Sequence, residues 1–193
     1  LPINEWSAAQ PLSPYAVGKL IGEYYARIYW EMYQLPTVSL RYFNVYGPKQ
    51  NPDGDYAAVI PKFIISLLNN QTPIVYGDGE QSRDFVYIED AVTANILAAT
   101  NKEMAGTEFN VGSGNRFTLN QLLEELCKIT GVDINANYAG SRSGDIRHSY
   151  ADISKLKTSG FTPDMEFKQG LERTVEFFKN HYASPKLTAK VSH

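Results

Sequence analysis

Ser13-Pro14-Tyr15-Ala16-Val17-Gly18-Lys19 decides how the rest of the chain is read. Serine is a strong helix N-cap and proline is at home in the first helical position, so a helix is expected to start here. Tyr15 and Lys19 stand four residues apart and are neighbours on one face of it. A tyrosine ordinarily titrates near pH 10, too high for a base in a neutral cell. An ammonium held close favours the phenolate. Bringing the pKa to ~7 takes about 4 kcal/mol of differential stabilisation, which charges in a partly desolvated site can supply. The same spacing also arises by chance on any helix that carries both residues, so its weight depends on what surrounds it.

Downstream, Val17, Leu20, Ile21, Tyr24 and Ile28 recur with a helical period, which predicts one long amphipathic helix with this stripe turned to a core. Tyr25, Tyr29, Trp30 and Met32 make its remaining surface aromatic, through burial on two sides or through pairing of helices between copies. Thr37 to Phe43 is short and rich in β-formers, as a buried parallel strand is. Ala58 to Leu68 reads as an apolar helix interrupted by Pro61. Strands are expected at Pro73 to Tyr76, closed by the Gly77-Asp78-Gly79 turn, at Phe85 to Ile88, at Glu108 to Val111 and at Asp133 to Tyr138. Helices are expected at Asp90 to Thr100, from the capping box of Thr118 and Gln121 to near Gly131, at Asp152 to Ser159 and at Phe167 to His181. Leu1 to Leu12 reads as a loop, and 183–193 as a mobile basic tail. Strands alternating with helices make an α/β protein.

The composition narrows the function. With 18 basic against 21 acidic residues there is no electrostatic case for nucleic acid as a partner. The single cysteine, Cys127, lies in an apolar helical run, excludes an internal disulfide and fits a cytoplasmic protein. No run reaches the ~18 apolar residues of a membrane span. The three histidines are scattered and match no metal-ligand spacing, and no Ser-His-Asp triad stands out. Gly112-Ser113-Gly114 lacks the remaining glycines of a dinucleotide fingerprint and reads as a turn.

Tyr-x-x-x-Lys on a helix, followed by a strand ending Arg41-Tyr42-Phe43-Asn44-Val45-Tyr46-Gly47-Pro48, resembles the extended short-chain dehydrogenase/reductases that modify nucleotide sugars. Three further motifs extend the likeness in order: Ala57-Ala58-Val59-Ile60-Pro61-Lys62-Phe63, Tyr76-Gly77-Asp78-Gly79 with Arg83-Asp84-Phe85, and Arg142-Ser143-Gly144-Asp145-Ile146-Arg147-His148-Ser149. Together they look most like UDP-glucose/UDP-N-acetylglucosamine 4-epimerases, from Leu1 to about Tyr182, with the N-terminal half of the family's NAD-binding domain missing.

The resemblance implies the C-terminal part of a Rossmann-like doubly wound sheet in 1–55, with returns around 85–111, and a small α/β substrate-binding domain over most of 56–182. It implies NAD as cofactor, met by Tyr15, Lys19 and Tyr42, and a homodimer built from paired helices. It assigns Tyr15 as proton acceptor and donor in a 4-epimerisation that passes through a 4-keto sugar. The UDP-sugar is met by Asn44, Ala58, Val59, Tyr76, Arg83, Arg142, Asp145 and Ser149. The residue types suit those roles. Guanidinium groups grip a diphosphate bidentately, though each arginine can equally serve in a surface salt bridge. Asn44 can bond phosphate or sugar, or form a turn before Gly47; Tyr76 can stack on uracil and Asp145 can accept from a ribose hydroxyl. Among relatives the fourth residue after the Asp of Arg-x-Gly-Asp lines the sugar pocket. Here it is the small Ser149, leaving room for an N-acetyl group unless Tyr150 folds into that space.

Within the enzyme class the alternatives are a nucleotide-sugar 4,6-dehydratase and a UDP-glucuronate decarboxylase. No Gly-x-x-Gly-x-x-Gly follows a strand in these 193 residues, so the chain alone is expected to be inactive and not to hold NAD. A non-catalytic chain that only binds nucleotide is the reading from another class.

Overall fold

A computed structural model describes residues 2–53, 58–141 and 146–182. Ser13 opens helix α1, Pro14–Tyr33, with its hydroxyl accepting from the Ala16 N–H at 3.2 Å and Pro14 in the first turn. Gln34, in the left-handed region, ends it. Strands β1 (Ser39–Tyr42) and β2 (Asn44–Tyr46) follow, then α2 (Val59–Leu68), β3 (Ile74–Tyr76), β4 (Ser82–Arg83), β5 (Phe85–Tyr87) and α3 (Ile88–Thr100). The rest comprises β6 (Glu108–Val111), β7 (Phe117–Thr118), α4 (Leu119–Thr130), β8 (Asn137–Ala139), β9 (His148–Ser149), α5 (Ser154–Thr158) and α6 (Phe167–Tyr182).

The chain from 39 to 46 changes partner halfway. β1 runs parallel to β6, with Leu40 opposite Phe109, whereas β2 runs parallel to β5, with Val45 opposite Val86. The switch falls at Phe43, whose N–H donates to the Val111 carbonyl; the next N–H, of Asn44, donates to the Asp84 carbonyl. β3 pairs parallel with β8, and β4 lies between antiparallel β7 and parallel β9. The α/β architecture expected from the alternating elements is present, with mostly parallel pairing.

Two apolar clusters fill the interior. The larger joins α2, α4 and α6 to β2 and β5 through Ile64, Leu67, Leu122, Leu126, Leu171 and Phe178. The smaller gathers Ala94, Met104, Phe109, Val111, Leu156 and Phe161 beneath β6. Cys127 is half-buried against the larger cluster.

Several expectations need correcting. Pro61 does not interrupt α2: it sits in the first turn, where its missing N–H has no intrahelical partner to lose. The expected strand at Phe85 to Ile88 stops at Tyr87, because Ile88 already begins α3. The helix expected from Asp152 starts at Ser154, since the Asp152 N–H is held by the Ile3 carbonyl. The strand expected at Asp133 to Tyr138 is the shorter β8.

The largest correction concerns α1. Val17, Ile21, Tyr24 and Ile28 do not face a core; they are exposed, and α1 has no buried residue. Its packed face is instead Ala16, Leu20, Glu23, Ala26 and Trp30, an equally helical spacing that turns toward β1 and the 105–107 turn. A Cβ on Gly106, whose φ is +79°, would run into the Trp30 ring, so the indole packs directly against that glycine. The apolar stripe is real, but no described residue covers it.

The N-terminal loop is tightly held. Ile3 exchanges main-chain bonds with Tyr150 and Asp152, and the Asn110 side chain donates to Ile3 and Asp152 carbonyls. Arg142, Asp145 and the tail 183–193 lie outside the described residues. Among the described residues no helix is long and apolar enough to cross a membrane.

Candidate active site

The Tyr15–Lys19 pair is set by α1 alone. The Lys19 ammonium lies over the Tyr15 ring, 5.4 Å from its centroid, which meets the adjacency the spacing predicts. The site is not desolvated: Tyr15, in the first turn of α1, is 74% exposed. What fixes the helix is Arg41, a residue of the strand motif that carries no assigned role. Its guanidinium donates bidentately to Glu23 of α1 at 2.9 and 2.7 Å and reaches the Glu5 carbonyl at 3.1 Å. The hydrogen bond to Glu23 raises the Arg41 pKa further above its already high value. Tyr42, half-exposed at the carboxyl end of β1, donates its hydroxyl to Asn95 of α3 at 2.8 Å.

A second group of candidates is built by short strands that propensity did not reveal. β4 and β9 pair with Ser82 opposite His148 and Arg83 opposite Ser149. One step on, the Asp84 N–H donates to the Ser149 carbonyl at 2.9 Å, and the Asp84 carbonyl accepts from Asn44 at 3.0 Å. Asn44 follows β1 as expected, opens β2 and is exposed there. Asn44, Arg83 and Ser149, drawn from three distant motifs, thus meet at the β4–β5 junction: Ser149 pairs with Arg83 of β4, and Asn44 pairs with Phe85 of β5. Arg83 is oriented by its Nη1, which donates to the Ser82 and Ile146 carbonyls.

Tyr76 ends β3, partly exposed, on an open groove of about 520 Å³ lined by Asp53, Lys62, Ser66, Ile74 and Tyr182. Ala58 is the N-cap of α2 and Val59 its first residue. Since Ala58 has no side chain to cap with, the first N–H groups of that helix suit a phosphate or carbonyl oxygen. The turn after Tyr76 is tied to β9 by Arg147, which forms a bidentate pair with Asp78 at 2.7 and 2.8 Å. That pair, chiefly through its hydrogen bond, lowers the Asp78 carboxyl to about 2.

Behind the ladder lies a residue the sequence did not single out. Asp84 is fully buried, and its carboxylate accepts from the Ser113 N–H and hydroxyl at 2.7 and 2.8 Å, from Gly114 N–H at 3.0 Å and from Ala151 N–H at 3.1 Å. Burial pushes its pKa up, and these bonds work against the shift. The one signal available was a carboxylate directly abutting an apolar strand run, Asp84 before Phe85-Val86-Tyr87.

Residues 1–112 match the model of the NAD dependent epimerase/dehydratase family. A putative UDP-glucose 4-epimerase of Methanocaldococcus jannaschii is 39% identical over 181 residues, 94% of this chain and 58% of that protein. Among solved structures, a UDP-N-acetylglucosamine 4-epimerase from Methanobrevibacter ruminantium, in complex with UDP-N-acetylmuramic acid, superposes with a TM-score of 0.88 at 44% identity, over 93% of this chain and 58% of that one. A UDP-glucose 4-epimerase from Thermotoga maritima, with UDP-glucose, gives 0.87 at 39% identity, over 93% and 57%. The chain therefore spans a little over half the length of the relatives it matches.

Proposed function

The chain belongs to the NAD dependent epimerase/dehydratase family, and from that premise we propose that the full-length protein carrying it is an NAD-dependent UDP-sugar 4-epimerase. The observation that carries this reading is the β4–β5 junction, which gathers Asn44, Arg83 and Ser149 at one place, together with a Tyr15–Lys19 pair on a capped helix. The names of the similar proteins support the substrate class.

The residues present fit one side of a nicotinamide nucleotide. The Tyr15–Lys19 pair is open to solvent, and Tyr42 stands at the carboxyl end of a parallel strand, where ligands of α/β sheets bind. NAD, when bound, supplies the hydride acceptor and donor for the sugar carbon. Tyr15 takes the proton of the 4-hydroxyl and returns it, and Lys19 favours the phenolate that does so. Arg83, with Arg142, holds the diphosphate; Tyr76 stacks on the base; Asp145 meets the ribose; Ala58 and Val59 offer N–H groups at the start of α2. A firm diphosphate grip with looser sugar contacts lets the ring present either face.

Ser149 leaves space for a C2 N-acetyl group, so the pairs interconverted are UDP-N-acetylglucosamine with UDP-N-acetylgalactosamine, and UDP-glucose with UDP-galactose. Tyr150 is engaged elsewhere, its ring 5.4 Å from the Arg116 guanidinium carbon, and consecutive residues of extended chain point to opposite faces. The division into an NAD-binding part over 1–55 and a substrate part over 56–182, a cytoplasmic location and a homodimer through α1 belong to the same proposal. A 4,6-dehydratase remains the second reading, since the family description names both activities.

Calorimetric titration of this chain with UDP tests the binding half of the proposal. UDP is expected to bind, and Arg83→Ala to weaken it by about 1.5–3 kcal/mol, the loss of a charge-assisted contact. Absence of UDP binding in the parent would overturn it. The reaction itself is read by incubating the full-length protein with UDP-N-acetylglucosamine and NAD and following the 4-epimer.

A further inference from the structure

Asp84 has no place in the chemistry above, yet its main chain touches two of the cleft residues and is bonded to the third. Its N–H donates to Ser149, its carbonyl accepts from Asn44, and Arg83 precedes it. We propose that Asp84 is the positioning residue of the nucleotide cleft: its buried carboxylate clamps the Gly112–Gly114 loop and Ala151 to the β4–β5 junction and so fixes Arg83, Ser149 and Asn44 in the one arrangement that receives a nucleoside diphosphate. The proposal rests on the UDP-sugar reading of that cleft.

The side chain is held as an acceptor only. Each oxygen takes two donors: Oδ1 from the N–H and hydroxyl of Ser113, Oδ2 from the N–H groups of Gly114 and Ala151. No cationic side chain is among its described hydrogen-bond partners or among the causes of its pKa shift. A carboxylate can be buried in this way only when neutral dipoles aimed at both oxygens replace its water, and three of the four are main-chain N–H groups. The loop is shaped for the purpose. A Cβ on Gly112 would lie 2.6 Å from Asp84 Oδ2 and 2.7 Å from the Ala151 Cβ, and Gly114 adopts φ +72°. The Gly-x-Gly sequence therefore wraps a carboxylate of its own chain, and its inward N–H groups are taken.

The geometric consequence follows the main chain. Ala151 is two residues beyond Ser149, and β9 is only two residues long, so its register against Arg83 rests on few bonds. Asp84 supplies one of these from its N–H and, through Ala151, anchors the segment just beyond the strand. An asparagine of the same shape has a single oxygen and would turn an NH₂ toward two donors, leaving buried groups unpaired. The segment carrying Ser149 would then shift against Arg83.

The test measures UDP by calorimetry and uridine by NMR shift titration on the 193-residue chain. Asp84→Asn is expected to keep a cooperative melt, weaken UDP by about tenfold and leave uridine unchanged, because the affected contact is to the diphosphate. In an Arg83→Ala background the same substitution should cause no further loss. Should Asp84→Asn not fold, Ser113→Ala, which removes one of the four bonds, decides: about threefold weaker UDP with unchanged uridine supports the proposal. A folded Asp84→Asn, or in its place Ser113→Ala, that binds UDP like the parent overturns it. So does an equal loss for uridine, or a full loss that persists without Arg83. A parent chain that binds no UDP overturns the cleft reading itself, an outcome distinct from the others.

Discussion

At the scale of single residues, the chemistry is concentrated in few side chains whose removal gives separable effects. Tyr15→Phe in the full-length protein is expected to lower turnover by ~10²–10⁴-fold, the usual contribution of a positioned acid–base group, with UDP-sugar affinity unchanged. Steady-state rates beside calorimetry check it, and wild-type turnover would make the Tyr15–Lys19 contact structural. Ser149→Tyr is expected to abolish the N-acetylated activity selectively, because a ring there occupies the space of the C2 substituent. Comparing both UDP-sugar pairs for parent and variant checks it, and equal rates on the N-acetylated pair in both proteins would count against the open space. That Tyr15 and Lys19 are neighbours was legible from spacing alone, since the face of a helix follows from its period. Asp84 and Arg41 were not. Each sits in a motif whose neighbours looked more useful, and their roles depend on partners 29 to 67 and 18 to 36 residues away.

At the scale of elements, legibility tracked length. α4 was readable to its ends, because Thr118 and Gln121 form the reciprocal capping box and Gly131 takes the left-handed C-cap. β6 matched residue for residue, Glu108–Val111. The two-residue strands β4, β7 and β9 carry no periodicity to detect; long-range pairing alone defines them. The side of α1 that packs was misjudged because its apolar stripe is the stronger signal, while the packed side mixes Leu20 and Trp30 with two alanines and the ion-paired Glu23. One tie between elements has a pH signature. Asp78, lowered from 3.8 to about 2 by Arg147, links the turn after β3 to β9. A carboxylate whose folded pKa is depressed stabilises the fold above its unfolded value and loses that contribution as pH falls through the folded one. Parent and Asp78→Asn should therefore differ in urea midpoint above pH 4 and converge toward pH 2. The difference is expected to be small, because the pair is exposed. Parallel curves across that range would show that the pair does not contribute.

At the scale of the whole molecule, the uncovered flank of α1 is the surface of the proposed association. Val17, Ile21, Tyr24, Tyr25 and Ile28 form one exposed apolar stripe, and the proposed homodimer buries it. Ile21→Glu with Ile28→Glu is expected to shift the full-length protein from dimer to monomer in sedimentation velocity, with an unchanged circular dichroism spectrum. A parent already monomeric at micromolar concentration would count against the dimer. The two apolar clusters divide the candidate residues unevenly. Asn44 and Arg83 stand on strands β2 and β4 at the margin of the larger cluster, whereas Tyr15 and Lys19 ride on a helix without a buried residue, set against β1 and the smaller one. Local unfolding free energy follows buried apolar contact, so amides of α1 and β1 should exchange with solvent through partial openings well before those of α2 and α4. On the proposed assignment the fold thus separates grip from chemistry kinetically: the part given the proton transfer can loosen and re-form many times while the part given the diphosphate stays closed.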